Sequence, residues 1–172
     1  MKSNMTDALL LALQIAAALG CGLMAGVFFA FSAFVMNALA RLEPVAGIAA
    51  MQSINRAVLN PLFMAGFFGT GAICVLVMLA SLWRWREPGA SFLLAGGAIY
   101  LVGGILVTIA FNVPLNEALA AIAPADRASA TRWTRYLARW TSWNHIRTVA
   151  CLVAAALLTV AVYLQARGPD PV

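Results

Sequence analysis

Polar residues are scarce in this chain, and where they occur they gather. Six of the seven asparagines (Asn37, Asn55, Asn60, Asn112, Asn116 and Asn144) fall at the edges of long apolar runs. The single histidine, His145, follows the last of them, and Trp140, Trp143, Asn144, His145 and Arg147 fall within eight consecutive positions. These residue types can share one kind of chemistry. An imidazole takes or gives a proton near neutral pH, amides and a guanidinium hold a developing anion, and indoles supply a flat apolar wall. The candidate catalytic residues are therefore His145, Arg147 and Asn144. Candidate substrate contacts are Asn55, Arg56, Asn60, Asn112, Asn116, Trp140 and Trp143.

Each of these residues also has a plainer role. Asn60-Pro61 is a good helix start, with the amide as cap and the proline in the first turn. Asn112-Val113-Pro114 reads as a helix end or kink. Trp140 and Trp143 suit the aromatic belt of a membrane interface, and His145 suits a polar anchor at the same level. Anchoring alone does not require an asparagine, a histidine and an arginine side by side at the start of an apolar run.

Other chemistries lack their residues. No Asp or Glu falls within an apolar run, which argues against a carboxylate-driven proton-coupled exporter. One histidine without neighbouring thiolates or carboxylates makes no all-protein zinc or iron site, so no metal ligands are assigned; a haem would gain a single axial ligand from it. Cys21, Cys74 and Cys151 lie in apolar runs with no CxxC spacing and read as small packing residues.

The elements that must position the cluster follow from composition. Of 172 residues, 63% are apolar and only 10% are charged, against about 45–50% and about 25% in soluble domains. A chain this short cannot bury so much apolar side chain in a water-soluble core, so it is an integral membrane protein and not a soluble enzyme or nucleic-acid-binding domain. Four runs, residues 8–36, 61–82, 90–111 and 147–164, are long enough to cross a hydrocarbon core as helices. None alternates with period two, which disfavours a barrel. The expectation is an all-α membrane protein: a single domain of four transmembrane helices in an up-and-down bundle. Short interfacial helices fill the two long connections, at 44–58 and 124–142, each opened by a first-turn proline, Pro44 and Pro124.

Gly22 and Gly26 form a GxxxG step, and Gly96-Gly97 recur as Gly103-Gly104, so close helix packing is expected at both. An even number of spans puts both termini and the turn at 83–89 on one side. The asparagines and His145 then share the other. Ten of the eleven basic residues are arginines, suited to anionic headgroups. The dense Arg84-Trp85-Arg86 turn points to cytoplasmic termini, in the cell (inner) membrane.

Several segments carry a resemblance. The run Gly22-Leu23-Met24-Ala25-Gly26-Val27-Phe28-Phe29-Ala30-Phe31-Ser32 resembles the first span of the anthrone oxygenase-like membrane proteins. Further similarity lies in Met51-Gln52, Ile54-Asn55, Leu59-Asn60-Pro61 and Phe111-Asn112-Val113-Pro114-Leu115-Asn116. The last stretch is Trp140-Thr141-Ser142-Trp143-Asn144-His145-Ile146-Arg147-Thr148, and the likeness covers roughly residues 8–165. It implies oxidation of an anthrone-like or other apolar phenolic substrate by O2, without a metal, flavin or other cofactor. Under that reading His145 is the base, the amides of Asn112, Asn116 and Asn144 with Arg147 or Arg56 hold the anion, and Trp140 and Trp143 form the slot. The partners expected are membrane lipid and an apolar aromatic small molecule, no nucleic acid, and in some arrangements a second copy of the chain. The competing reading is a non-enzymatic protein that holds a lipid, a quinone or a partner subunit at its polar mouth; a haem- or quinone-binding anchor of a redox complex is a third.

Overall fold

A computed structural model describes residues 2–123 and 129–167, and among them every regular element is helical. The helices are α1 (Met5–Ala40), α2 (Pro44–Ala57), α3 (Pro61–Trp83), α4 (Ala90–Ala120) and α5 (Ser129–Arg167). Among the described residues α1, α3, α4 and α5 are long and apolar enough to cross a membrane, so the protein is a multi-pass membrane protein. They pack in a ring: α1 along α5, α5 along α4, α4 along α3, and α3 along α1. That ring is the up-and-down bundle.

Local chemistry explains the ends. Asn60 caps α3 by accepting from the Phe63 backbone N–H at 3.0 Å, and Pro61 and Pro44 occupy first-turn positions of α3 and α2. The α3–α4 turn closes on Gly89, whose φ of 82° suits glycine. A Cβ there would also come within 2.8 Å of the Ala161 carbonyl oxygen. Arg84 ties this turn to α1 through Asp7 at 2.6 Å.

Three expectations need correction. The third run does not stop at residue 111. Pro114 removes a helical N–H, but the helix widens into π turns at Tyr100–Leu106 and Thr108–Asn112 and carries on to Ala120. The segment 124–142 is not a separate interfacial helix over its described part. From Ser129 to Arg167 the sequence has no glycine or proline, and one helix of 39 residues results. Pro124 lies outside the described residues. Gly22 and Gly26 do not mark close packing: among the described residues, a Cβ at either meets no atom of another helix within 4 Å. The other glycine pairs do mark close packing: Cβ atoms would overlap Met78 at Gly97 and Ala150 at Gly103.

At 1.5 Å per residue, α1 and α5 run about 54 and 58 Å, well beyond a hydrocarbon core of about 30 Å. The excess projects at the end where the asparagines collect, and α2 packs there against α5. Two buried apolar clusters result. One fills the bundle around Cys21, Cys74, Cys151, Phe67 and Tyr100. The other lies under α2 and contains Ile48, Met51, Leu119, Trp133, Tyr136 and Trp140. Gly47 lets the Trp133 ring lie directly on α2, because a Cβ there would stand 2.9 Å from it.

The glycine contacts give a paired expectation. Gly103→Ala should cost about 1–3 kcal/mol through overlap with Ala150. Gly22→Ala, facing open space, should be neutral or stabilise by about 0.5–1 kcal/mol. Thermal midpoints of the two variants in detergent check this.

Candidate functional site

A polar layer involving α1, α4 and α5 separates the two apolar clusters. Asn144 on α5 has no exposed surface. Its Nδ2 donates to the Phe28 carbonyl and to Ser32 Oγ, both at 2.7 Å, and its Oδ1 accepts from Arg147 Nη2 at 2.6 Å. Arg147 Nη1 donates to Thr108 Oγ1 at 3.2 Å. Thr148 Oγ1 donates to the Asn144 carbonyl at 2.9 Å and lies 3.3 Å from Ser32 Oγ. The backbone is adapted to receive these groups. Ser32 sits in a π turn of α1 (Phe31–Val35), and Thr108 and Asn112 sit in a π turn of α4. Such turns displace the usual carbonyl partners and recur at functional sites.

Arg147 is 5% exposed. The Phe28 ring centre lies 4.3 Å from its Cζ and the Trp140 ring centre 5.1 Å, so two aromatic faces hold the cation. Among the described residues no carboxylate pairs with it, and its Nε has no hydrogen-bond partner. A guanidinium buried in this way is costly unless something satisfies its remaining donor.

Arg147 borders an open-mouthed cavity of about 410 Å³, lined by parts of all five helices. This is within the range of small-molecule pockets. Its walls are mainly aromatic and aliphatic, with Phe28, Phe31, Phe63, Phe67 and Trp140 among them. Polar groups are few. Asn112 donates weakly to the Trp140 carbonyl at 3.3 Å and leaves its Oδ1 unpaired. Asn55 has a buried, unpaired Nδ2. Asn116 Oδ1 accepts from Tyr136 Oη and Trp140 Nε1, both at 2.9 Å, and so fixes the indole that forms one wall. Arg56 is exposed at the rim.

The structure thus brings Asn55, Arg56, Asn112, Asn116, Trp140 and Arg147 to one cavity, with Asn144 directly behind Arg147. It leaves three expected residues out. His145 is exposed on the outer face of α5 and does not border the cavity, because adjacent helical residues point about 100° apart. Trp143 stacks on Phe111 with ring centres 3.6 Å apart, away from the cavity. Asn60 is an exposed helix cap whose amide also donates to the Ala57 carbonyl at 2.9 Å. Four residues given no role from the sequence complete the site: Phe28 and Ser32, which lie in the run resembling the family's first span, and Thr108 and Glu117. Ser and Thr inside apolar runs look ordinary in transmembrane helices, so little in the sequence marked them.

An all-helical, four-span bundle with a buried cation beside an aromatic cavity is the class of protein that fold and site define. The family model described as anthrone oxygenase matches residues 62–157, more than half of the chain, and the chain belongs to that family. The matched stretch contains Thr108, Asn112, Asn116, Trp140, Asn144 and Arg147, while Phe28, Ser32 and Asn55 lie before it. No curated protein and no solved structure matches the chain.

The polar layer generates a stability expectation. Asn144→Leu strands Arg147 Nη2 and removes the donor to Phe28 and Ser32, at about 1–3 kcal/mol for each buried group left bare. The variant should lose most of its monodisperse fraction on size exclusion in mild detergent.

Proposed function

We propose that the protein is a cofactor-independent membrane oxygenase acting on an anthrone-like, planar, apolar ketone with an acidic C–H. The observation that carries this reading is the buried Arg147, without a carboxylate partner among the described residues and with an unpaired Nε, at the wall of an aromatic cavity. Such a site favours a ligand that is apolar over most of its surface and becomes anionic at one oxygen. An anthrone fits, since loss of a methylene proton moves negative charge onto its carbonyl oxygen. Arg147, with the unpaired Asn55 amide as a further donor at the cavity, stabilises that enolate most when it is fully formed. The electron-rich enolate passes an electron to O2 directly. Phe28 and Trp140 hold the guanidinium in place, Asn144 and Thr108 orient it, and the apolar walls exclude water from the anion. Family membership supports oxygenase chemistry; the substrate and the residue roles are our reading.

The test is O2 uptake by purified protein supplied with anthrone, with anthraquinone as the product followed. Arg147→Lys keeps the charge but loses the planar fork, and turnover should fall about 10²–10³-fold. His145→Gln, on the outer face, should stay within about twofold of wild type. Tight binding of anthrone without O2 uptake would instead make the cavity a carrier site for an aromatic lipid or quinone. Loss of turnover in His145→Gln alone would overturn the assignment of the anion site to Arg147.

A further inference from the structure

With His145 outside the cavity, the oxygenase reading lacks a base. Among the described residues bordering the cavity, Glu117 alone carries a carboxylate, and none carries an imidazole, a thiol or a phenol. Glu117 lies in the last turn of α4, on the face that also carries Asn112, Val113, Asn116 and Ala120 to the cavity. It is exposed at the rim, and no salt bridge among the described residues engages it. We infer that Glu117 is the general base of this site, an assignment that rests on the oxygenase reading above.

Its position suits the proposed substrate. Thr108, which holds Arg147, and Glu117 are nine residues apart on one helix, about 13 Å along its axis or somewhat less through the π turns. In an anthrone the carbonyl oxygen and the acidic methylene carbon lie on opposite edges of the central ring. With the oxygen toward Arg147, the methylene faces the rim, where Glu117 lies. The buried Arg147 inside the cavity and the Glu117 carboxylate at its rim, neither in an ion pair among the described residues, set a direction for the substrate, with the exposed Arg56 at the rim as well.

The proton and electron balance closes with one base. Glu117 takes a methylene proton, and the C–H electron pair becomes the enolate held by Arg147. One electron passes to O2, and the resulting superoxide and carbon radical join in a C–O bond. The peroxide anion takes the proton back from Glu117. The carboxylate then removes the second methylene proton. The C=O bond forms, the O–O bond breaks, and hydroxide leaves with that proton as water. The sum is CH2 + O2 → C=O + H2O.

The first step can be read without oxygen. Purified protein in detergent is given anthrone under argon in D2O, and exchange at the methylene carbon is followed by proton NMR. Wild type should accelerate exchange over buffer, Glu117→Gln should lose about 10²–10⁴-fold of that acceleration, and Glu117→Asp should recover part of it. Glu117 is exposed, so its variants should fold, with an unchanged thermal midpoint as the check. Equal exchange in wild type and Glu117→Gln overturns the assignment while leaving the oxygenase reading standing if O2 uptake persists. Exchange that depends on Glu117 without O2 uptake supports the base and sinks the oxygenase reading. Wild-type exchange no faster than buffer overturns the assignment whatever the oxygen electrode shows.

Discussion

A guanidinium held among membrane-spanning helices, with no carboxylate partner among the described residues, dictates much of what surrounds it. Charge at that depth is tolerated only when its donors are occupied and its faces covered. Asn144 and Thr108 occupy two nitrogens of Arg147, and Phe28 and Trp140 cover the planar group. These partners come from α1, α4 and α5, so one side chain links three of the four spans. Asn144 adds a second link, through the Phe28 carbonyl and Ser32, which fixes the rotation of α1 against α5. The π turns in α1 and α4 place Ser32, Thr108 and Asn112 toward α5.

The layer also explains why a cavity persists. Below it, glycines bring the helices close, as at Gly103 against Ala150 and Gly97 against Met78. Above it, α2 is held to α4 by Gln52, whose Nε2 donates to the Leu119 and Ile122 carbonyls at 2.9 and 3.1 Å. Gly47 seats α2 on Trp133. Asn116, fixed by Tyr136 and Trp140, keeps the indole upright as a wall. Between a tight bundle and a tight cap lies a space that the polar layer borders on one side and aromatic rings on the others.

Much of this was legible in the sequence. Apolar run length gave four spans, and the grouping of asparagines marked the end of the bundle that holds the cavity. The choice between His145 and Arg147 was not made by residue type or density, because both fit an acid–base or anion site. It was made by helical phase. Trp133, Tyr136, Trp140, Asn144, Arg147, Cys151, Ala154, Leu158 and Ala161 recur every three or four residues and are the buried stripe of α5, and His145 and Trp143 fall off it. That stripe is present in the sequence once 129–167 is read as one helix; splitting it at residue 142 hid the continuity. Glu117 was missed for a similar reason, since ending the third span at residue 111 placed it in a connection. The π turns that carry α4 past Pro114 have no signature in residue types alone.

The central claim is that Arg147 grips an anionic or carbonyl oxygen of an aromatic ligand inside this cavity. The most direct measurement is a structure of the protein with anthraquinone bound. The rings should lie against Trp140 and Phe28, with one oxygen about 2.7–3.2 Å from Arg147 Nε. A ligand seated instead beside His145 on the outer face of α5, or a cavity filled by an acyl chain with anthraquinone absent, would contradict it.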